Sequence, residues 1–157
     1  MNDNLNQITN FYAITEQLLT GGMPTEEQLK HLQNYNVDVV INLALDDSPN
    51  ALSKEREIMQ DLGMTYVQIP VEWENPRLSD LEIFFGTMEK YKLRKLFVHC
   101  VLNMRVSVFI YLYRVIKDHI PAEIAILDLR RIWEPNPTWQ TFIEISLNQY
   151  KNIEKPG

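Results

Sequence analysis

The residues around the chain's single cysteine constrain the fold more than any other segment. Residues 95–99 form an apolar run with the composition of a buried strand, and this run stops at Cys100. From residue 106 to about 117 the sequence is apolar on nearly every side of a predicted helix, which is typical of a helix at the centre of a domain. A strand and a central helix joined by so few residues predict an α/β domain with a tight loop at the cysteine.

The predicted loop has the features of an anion-binding site. In a tight turn between a strand and a helix, successive backbone N–H groups point inward and have no partner within the helix. Together with the positive end of the helix dipole, they stabilise an oxyanion and favour the nucleophilic thiolate of Cys100. The residues predicted to bind phosphate are Val101, Leu102, Asn103, Met104, Arg105, Val106 and Ser107.

Three neighbours of Cys100 have predicted roles in this loop. Arg105 presents a planar fork of donors that suits two phosphate oxygens at once. Asn103 is expected to adopt a positive φ angle, because asparagine is the commonest substitute for glycine in that conformation. His99 is expected to hydrogen-bond the backbone and support the loop rather than to transfer protons. The alternative is that Cys100 and His99 are ordinary core residues.

The rest of the chain alternates between predicted strands and helices. Residues 37–43 are a nearly continuous β-branched run, typical of a strand in a parallel sheet. The loop at residues 46–50 follows this strand, at the edge of the sheet where open α/β domains bind ligands. Other predicted strands are residues 11–14, 18–20 and 65–69. Other predicted helices are residues 25–34, capped by Thr25 and Gln28; 53–62, ended by Gly63; one capped by Ser79; and two starting near Pro121 and Pro137.

At these segments the chain resembles the dual-specificity branch of the cysteine-dependent protein phosphatases, and more closely small bacterial phosphatase-like proteins of unknown substrate. Residues 14–24 resemble the family's opening hairpin, residues 39–43 its first central strand, and residues 96–100 the strand into its signature loop. The resemblance implies a single α/β domain, residues 1–157, with a central mainly parallel sheet flanked by helices. It also implies hydrolysis of a phosphate monoester through a cysteinyl-phosphate on Cys100, without a cofactor.

The signature departs from the family pattern at its arginine. The family has His-Cys, five residues, then Arg and Ser or Thr, whereas four residues separate Cys100 from Arg105. Ser107 stands where the family's hydroxyl would be, and the resemblance gives it a role in releasing the thiolate. Either the loop is one residue shorter and Val106 replaces the hydroxyl, or the arginine is displaced by one position, about 100° around the helix.

The implied reaction also needs a carboxylic acid that protonates the leaving group. In the resembling family this acid is usually an aspartate on the loop that here spans residues 69–79. Glu72 is the first candidate, because it takes the acid's position when Leu78 and Ser79 are aligned with the start of the family's next helix. Glu74 is the second candidate. Asp80 is the third, although a first-turn carboxylate also complements the helix dipole.

Composition excludes several classes of function. A net charge of −6 argues against a nucleic-acid groove, and a single cysteine excludes an internal disulfide. The three histidines lie far apart, so no metal site is expected. Since no apolar run approaches a membrane span or signal peptide, we expect a cytoplasmic protein that does not bind membranes. Expected partners are a phosphorylated small molecule or phosphoprotein, with inorganic phosphate or a similar anion in the loop.

Three other functions stay open from the sequence, and one of them is an arsenate or other oxyanion-handling role, although the chain lacks the further cysteines that such chemistry generally recruits. A rhodanese-like sulfurtransferase also has four residues in its loop, and it would carry a persulfide on Cys100. A catalytically weak pseudophosphatase would bind phosphate without hydrolysing esters. Trp73, between the two candidate acids Glu72 and Glu74, is expected to anchor its loop on the core rather than to cap the cavity.

Overall fold

The computed structural model describes residues 3–48, 51–52 and 54–154. Within these ranges the chain forms five strands and seven helices. The strands are β1 (Tyr12–Ala13), β2 (Leu18–Gly21), β3 (Val39–Asn42), β4 (Thr65–Gln68) and β5 (Leu96–His99). The helices are α1 (Asp3–Asn6), α2 (Glu26–Asn34), α3 (Glu55–Asp61), α4 (Leu78–Lys90), α5 (Met104–Ile116), α6 (Ala122–Ile132) and α7 (Pro137–Glu154).

The strands form one sheet in the order β1-β2-β5-β3-β4. Only β1 is antiparallel to its neighbour among these strands, so the predicted mainly parallel sheet is confirmed. The register places Gly21, His99, Asn42 and Gln68 in one row across the carboxyl edge. Because β5 is the central strand, the cysteine loop begins at the middle of the edge where such sheets bind ligands.

Helices cover both faces of the sheet. Successive side chains of a strand point to opposite faces, so Val98 packs with α4, α5, α6 and α7, whereas Phe97 packs with α1, α2 and α3. Most residues of α5 are buried, which confirms the prediction of a central helix after the cysteine. Its N-terminus is therefore held rigidly beside Cys100. Within the part of the chain that the structure describes, no helix is both long and apolar enough to cross a bilayer.

Local signals predicted several helix ends correctly. The capping box of α2 is present: Thr25 Oγ1 accepts from the Gln28 N–H at 3.1 Å, and Gln28 Oε1 accepts from the Thr25 N–H at 2.9 Å. Gly63 follows α3 with a φ of 70°. The short helix α1 was not predicted, and Ser53, the expected start of the third predicted helix, lies outside the described residues.

The starts of α4 and α5 differ from the prediction. Helix α4 begins at Leu78 with Arg77 as its N-cap, so the prediction of Ser79 as the N-cap is wrong. The Asp80 carboxylate accepts a hydrogen bond from the Arg77 N–H at 3.3 Å. This bond starts the helix earlier in the sequence than predicted. Helix α5 begins at Met104, two residues earlier than expected, because the left-handed residue Asn103 ends the loop.

The core on the α5 side depends on Trp139, which is completely buried and contacts the rings of Trp73, Trp133 and Phe142. We expect Trp139→Ala to lower the free energy of unfolding by about 3–5 kcal/mol, through lost burial and the cavity left behind. Urea denaturation measures the change. The exposed Leu127 supplies the control, since Leu127→Ala is expected to stay within about 0.5 kcal/mol. Equal stability of the two variants would contradict this assignment of the core.

Candidate active site

Cys100 follows β5 directly, at the carboxyl edge of the sheet. Its side chain is only 1% exposed, yet it lines a cavity of about 380 Å³. The other residues that line this cavity are Leu45, Asp47, Ser48, Trp73, Val101, Leu102, Met104 and Arg105. Cys100 therefore lies where the wall of the cavity meets the buried core on the α5 side of the sheet.

The loop after Cys100 turns at Asn103, whose φ of 66° confirms the predicted left-handed conformation. The buried side chain of Asn103 also ties the loop to the N-terminal part of the chain. Its Nδ2 donates to the Asn10 carbonyl at 2.9 Å and to Thr20 Oγ1 at 3.0 Å. An asparagine therefore serves twice here, in the backbone turn and as a buried donor.

These two roles can be separated by substitution. Asn103→Ala loses both hydrogen bonds and places a Cβ-bearing residue with no compensating contact at positive φ, so we expect a loss of about 2–4 kcal/mol of stability. Asn103→Gly loses the same bonds but tolerates the turn, so it should cost about 1 kcal/mol less. Urea denaturation of both variants measures the difference. If the two variants were equally destabilised, backbone strain would have no part in the requirement for asparagine.

The carbonyl groups of the loop are bonded to neighbouring segments. The Val101 carbonyl accepts from the Met23 N–H at 2.9 Å, and the Leu102 carbonyl accepts from Asn10 Nδ2 at 2.9 Å. A Cβ at Gly22 would lie 2.5 Å from the Val101 oxygen, so this close approach requires glycine. In contrast, the N–H groups of residues 101–106 donate to no acceptor within the described ranges. They are available to bind an oxyanion.

Arg105 lies in the first turn of α5, nearly buried, and lines the same cavity as Cys100. Its Nη1 donates to the Val71 carbonyl at 2.8 Å. The four-residue spacing therefore does not turn the guanidinium outward into bulk water. Because Val71 immediately precedes Glu72, this bond also connects the cysteine loop to the loop predicted to carry the acid.

His99 and Glu55 form a buried pair behind Cys100. His99 Nε2 lies 2.6 Å from Glu55 Oε2, and His99 Nδ1 lies 3.3 Å from the Cys100 carbonyl. The other oxygen of Glu55 accepts from Asn42 Nδ2 at 3.3 Å. Sequence reasoning missed Glu55, because a glutamate in the first turn of a helix is normally solvent-exposed and no local pattern marks this one as buried.

The three predicted acids are not among the residues that line the cavity. Glu72 is half exposed and forms an ion pair with Arg77, with 3.6 Å between Oε2 and Nη2. Neither Glu72 nor Glu74 lines the cavity that contains Cys100. Asp80 caps α4, and partial burial raises the pKa of Asp80, although its hydrogen bond to the Arg77 N–H opposes this shift.

Asp47 is the carboxylate that does line the cavity among the described residues. It belongs to the loop after β3, whose remaining residues Pro49 and Asn50 lie outside the described residues. The sequence placed this loop at the correct edge of the sheet, but Asp47 was not chosen as an acid. The signal that could have found it is its position after the strand next to β5.

Trp73 and Ser107 both form hydrogen bonds with residues other than Cys100. The Trp73 carbonyl accepts from Trp139 Nε1 at 2.9 Å, and the Trp73 ring packs on Trp133. Trp73 therefore anchors its loop as predicted, and it also forms part of the cavity wall. The Ser107 hydroxyl donates to the Met104 carbonyl at 2.6 Å and accepts from Trp133 Nε1 at 3.0 Å. The Ser107 N–H donates to the Asn103 carbonyl. The N–H and the hydroxyl of Ser107 therefore both donate within the protein, in contrast to the prediction that Ser107 binds phosphate.

A thiol after the central strand, a loop of unpaired N–H groups and an inward arginine on this sheet define the class of cysteine-dependent phosphatases. The family described as "DSP-PTPase phosphatase fused to NAD+ Kinase" matches residues 6–142, and the chain belongs to this family. The predicted family and fold class are thereby confirmed. Among curated protein sequences, none matches the chain significantly.

Solved structures share the whole fold. A DUF442 phosphatase candidate from Shewanella putrefaciens CN-32 is 35% identical, with a TM-score of 0.85 over 96% of this chain and 99% of that one. PTPMT1 in complex with PI(5)P is 17% identical, with a TM-score of 0.78 over 93% and 99%. The core catalytic domain of the PP-IP phosphatase SIW14 from S. cerevisiae is 16% identical, with a TM-score of 0.74 over 93% and 91%. These likenesses support a phosphatase and do not favour the sulfurtransferase alternative.

Proposed function

We propose that this protein hydrolyses phosphate monoesters through a cysteinyl-phosphate intermediate. The observation that carries the proposal is that Cys100 and Arg105 line one cavity beside a run of unpaired loop N–H groups. Such a site binds the three non-bridging oxygens of a phosphoryl group and stabilises the charge that they carry in the transition state. Arg105 adds two further donors in a plane, which matches two of those oxygens.

The reaction proceeds in two steps. In the first, the Cys100 thiolate attacks phosphorus, an S–P bond forms, the P–O bond to the leaving group breaks, and a carboxylic acid donates a proton to the departing oxygen. In the second, the same carboxylate takes a proton from water, the water oxygen attacks phosphorus, and the S–P bond breaks to release inorganic phosphate and the thiolate. The backbone N–H groups of residues 101–106 and the guanidinium of Arg105 hold the phosphoryl oxygens in both steps. His99 supports the loop.

Glu72 is our proposed acid, on the basis of its position in the family pattern and the bond that ties the preceding Val71 to Arg105. We expect Glu72→Gln to lower kcat for phenyl phosphate by about 10²–10³-fold and to remove the dependence of kcat on a protonated group. Glu74→Gln, at the neighbouring exposed carboxylate, is the matched control and should change kcat less than about threefold. A large loss in Asp47→Asn together with normal turnover in Glu72→Gln would instead place the acid on the β3–α3 loop.

The chemistry of the function can be tested directly. Wild-type protein is mixed with a reactive aryl phosphate, and the reaction is quenched in acid and analysed by intact mass. We expect release of inorganic phosphate and transient gain of one phosphoryl group on the single cysteine. A protein that hydrolyses no monoester but gains a sulfur atom from thiosulfate would contradict the proposal in favour of a sulfurtransferase.

The expected cellular context follows from the same thiol. We propose that the protein acts in a reducing compartment such as the cytoplasm, because a catalytic thiolate must escape oxidation to remain a nucleophile. The substrate is a phosphorylated small molecule or a phosphoprotein. Inorganic phosphate, as the product, is expected to occupy the same loop and to inhibit competitively.

A further inference from the structure

The peptide group between Leu102 and Asn103 is held from outside the cavity by Asn10. Asn10 Nδ2 donates to the Leu102 carbonyl at 2.9 Å, and Asn103 Nδ2 donates in return to the Asn10 carbonyl at 2.9 Å. Asn10 precedes β1, is exposed to solvent and does not line the cavity that contains Cys100. A residue from the start of the chain therefore brackets the turn of the cysteine loop with two hydrogen bonds.

These two bonds fix the direction of one N–H group. A trans peptide is planar, so its carbonyl and its N–H group point in opposite directions. Because the Leu102 carbonyl points to Asn10, the Asn103 N–H points away from Asn10. This N–H is one of the loop donors that have no acceptor within the described ranges. It is therefore available to a phosphoryl oxygen only while the peptide keeps its present direction.

The observed direction of this peptide is not the one that the backbone favours by itself. A half-turn of the peptide would change the φ of Asn103 from 66° to a negative value, which L-amino acids prefer. The same half-turn would point the Asn103 N–H towards Asn10. Contacts from outside the loop must therefore hold the observed conformation. The bond from Asn103 Nδ2 to Thr20 Oγ1, at 3.0 Å, contributes to this hold.

The segment that carries Asn10 is itself anchored. Ile8 is 1% exposed and belongs to the core on the α2 side of the sheet. The Thr9 carbonyl accepts from the Gly22 N–H at 2.6 Å. Asn10 has a φ of 50°, in the left-handed region that asparagine tolerates. Since the backbone beside Asn10 is fixed, its amide holds the Leu102 carbonyl instead of following the movements of the loop.

The preceding peptide of the loop is held in a different way. The Val101 carbonyl accepts from the backbone N–H of Met23 at 2.9 Å, so no side chain takes part in that bond. It directs the Leu102 N–H in the same way as the Asn10 amide directs the Asn103 N–H. Substitution of Asn10 should therefore alter one loop donor and leave its neighbour in place.

On the basis of the proposed function, we propose that Asn10 is a positioning residue that keeps the Asn103 N–H directed at the phosphoryl group. Asn10 does not touch the substrate, and it acts through the Leu102–Asn103 peptide. A directed donor contributes most where the phosphoryl oxygens carry the most charge, which is in the transition state. The loss of this donor should therefore lower kcat more than it raises KM.

Two substitutions separate the donor from its surroundings. Asn10→Gly permits the left-handed backbone and removes only the side-chain amide. Asn10→Asp keeps the size of the side chain, but a carboxylate can only accept, so it repels the Leu102 carbonyl and attracts the Asn103 N–H of the rotated peptide. We expect kcat for naphthyl phosphate to fall about 10-fold in Asn10→Gly and about 100-fold in Asn10→Asp, with KM changed less than about threefold.

Asn36 provides a matched control. It is also an exposed asparagine in the left-handed conformation, with a φ of 68°, and it lies between α2 and β3, before the amino end of that strand. Asn36→Gly and Asn36→Asp make the same chemical changes far from the cysteine loop, and each should change kcat less than about twofold. Thermal melting of all four variants reports any loss of stability separately from the loss of activity.

A second measurement requires no turnover. Amide exchange followed by NMR is recorded with and without inorganic phosphate. In the wild type, phosphate should slow the exchange of the Leu102 and Asn103 N–H groups by about 10-fold, because both donate to the bound oxygens. In Asn10→Asp the effect on Asn103 should be lost and the effect on Leu102 retained, because Met23 still holds the Val101 carbonyl.

The outcomes separate this inference from the proposed function. If the wild type hydrolyses no ester and phosphate slows neither amide, the proposed function fails and this inference fails with it. If the wild type is active and both Asn10 variants keep kcat within about twofold, the phosphatase stands and the inference is overturned. A lower melting temperature alone would then make Asn10 merely structural. Equal kcat in Asn10→Asp and Asn10→Gly would also overturn it, because the direction of the peptide would not be the cause of the loss.

Discussion

Replacing Cys100 by serine will lower the hydrolysis of naphthyl phosphate by at least about 10⁴-fold, to a rate near the uncatalysed background. A serine hydroxyl remains protonated at neutral pH, so it is a far weaker nucleophile than a thiolate at the same position. The loop N–H groups and Arg105 stay in place, so the variant should still bind phosphate. Steady-state rates of phosphate release measure the first effect, and competition between phosphate and a fluorescent aryl phosphate measures the second.

The single cysteine of the chain provides a control for this experiment. Since Cys100 is the only cysteine, the variant should take up no iodoacetamide, and the wild type should take up one equivalent in parallel with its loss of activity. Far-UV circular dichroism shows whether the buried substitution preserves the fold. Wild-type activity in Cys100→Ser would mean that the sulfur is not the nucleophile, whatever its position in the cavity.

Replacing Arg105 by lysine will lower kcat/KM by about 10²–10³-fold, although the charge is conserved. Arg105 Nη1 is already bonded to the Val71 carbonyl, so the phosphate contact depends on the remaining donors of the planar fork. A lysine ammonium can make one of these interactions but cannot span both. The loss should appear mainly in kcat, because the developing charge on the phosphoryl oxygens is greatest in the transition state.

Arg77→Lys provides the matched control on the neighbouring loop. Arg77 is exposed and pairs with Glu72 at 3.6 Å, so its conservative replacement should change kcat/KM less than about threefold. If Arg105→Lys were as active as Arg77→Lys, the guanidinium would serve only to tie the acid loop through Val71. If Arg105→Lys lost binding of inorganic phosphate but kept kcat, the arginine would act in ground-state binding alone.

The parts of the site that were predictable lie close together in the sequence. Residues 95–117 combine an apolar strand, a thiol, an asparagine suited to positive φ and an apolar helix, and each of these signals is local. The observed β5, the φ of 66° at Asn103 and the buried helix α5 agree with them. These local signals predict the structure correctly because backbone sterics and hydrophobic periodicity act over a few residues.

The parts that were not predictable are contributed by distant segments. Glu55 reaches His99 across 44 positions, and Asp47 reaches the cavity because β3 is the neighbour of β5 in the sheet. No local pattern distinguishes these two carboxylates from solvated ones. The sequence also did not predict that the Ser107 hydroxyl is occupied, because its partner Trp133 lies beyond α6.

Order along the chain predicted the strand–thiol–helix unit and the class of the fold, and it predicts an anion-binding loop beside the sulfur. Those features depend on which residues follow one another within a turn or a strand, where covalent connection limits the geometry. Folding in three dimensions settled the direction of Arg105, the partner of His99, the apolar walls and the carboxylate of Asp47 in the cavity wall. These depend on side chains brought together by strand order and packing, and their distances are independent of their separation in the sequence.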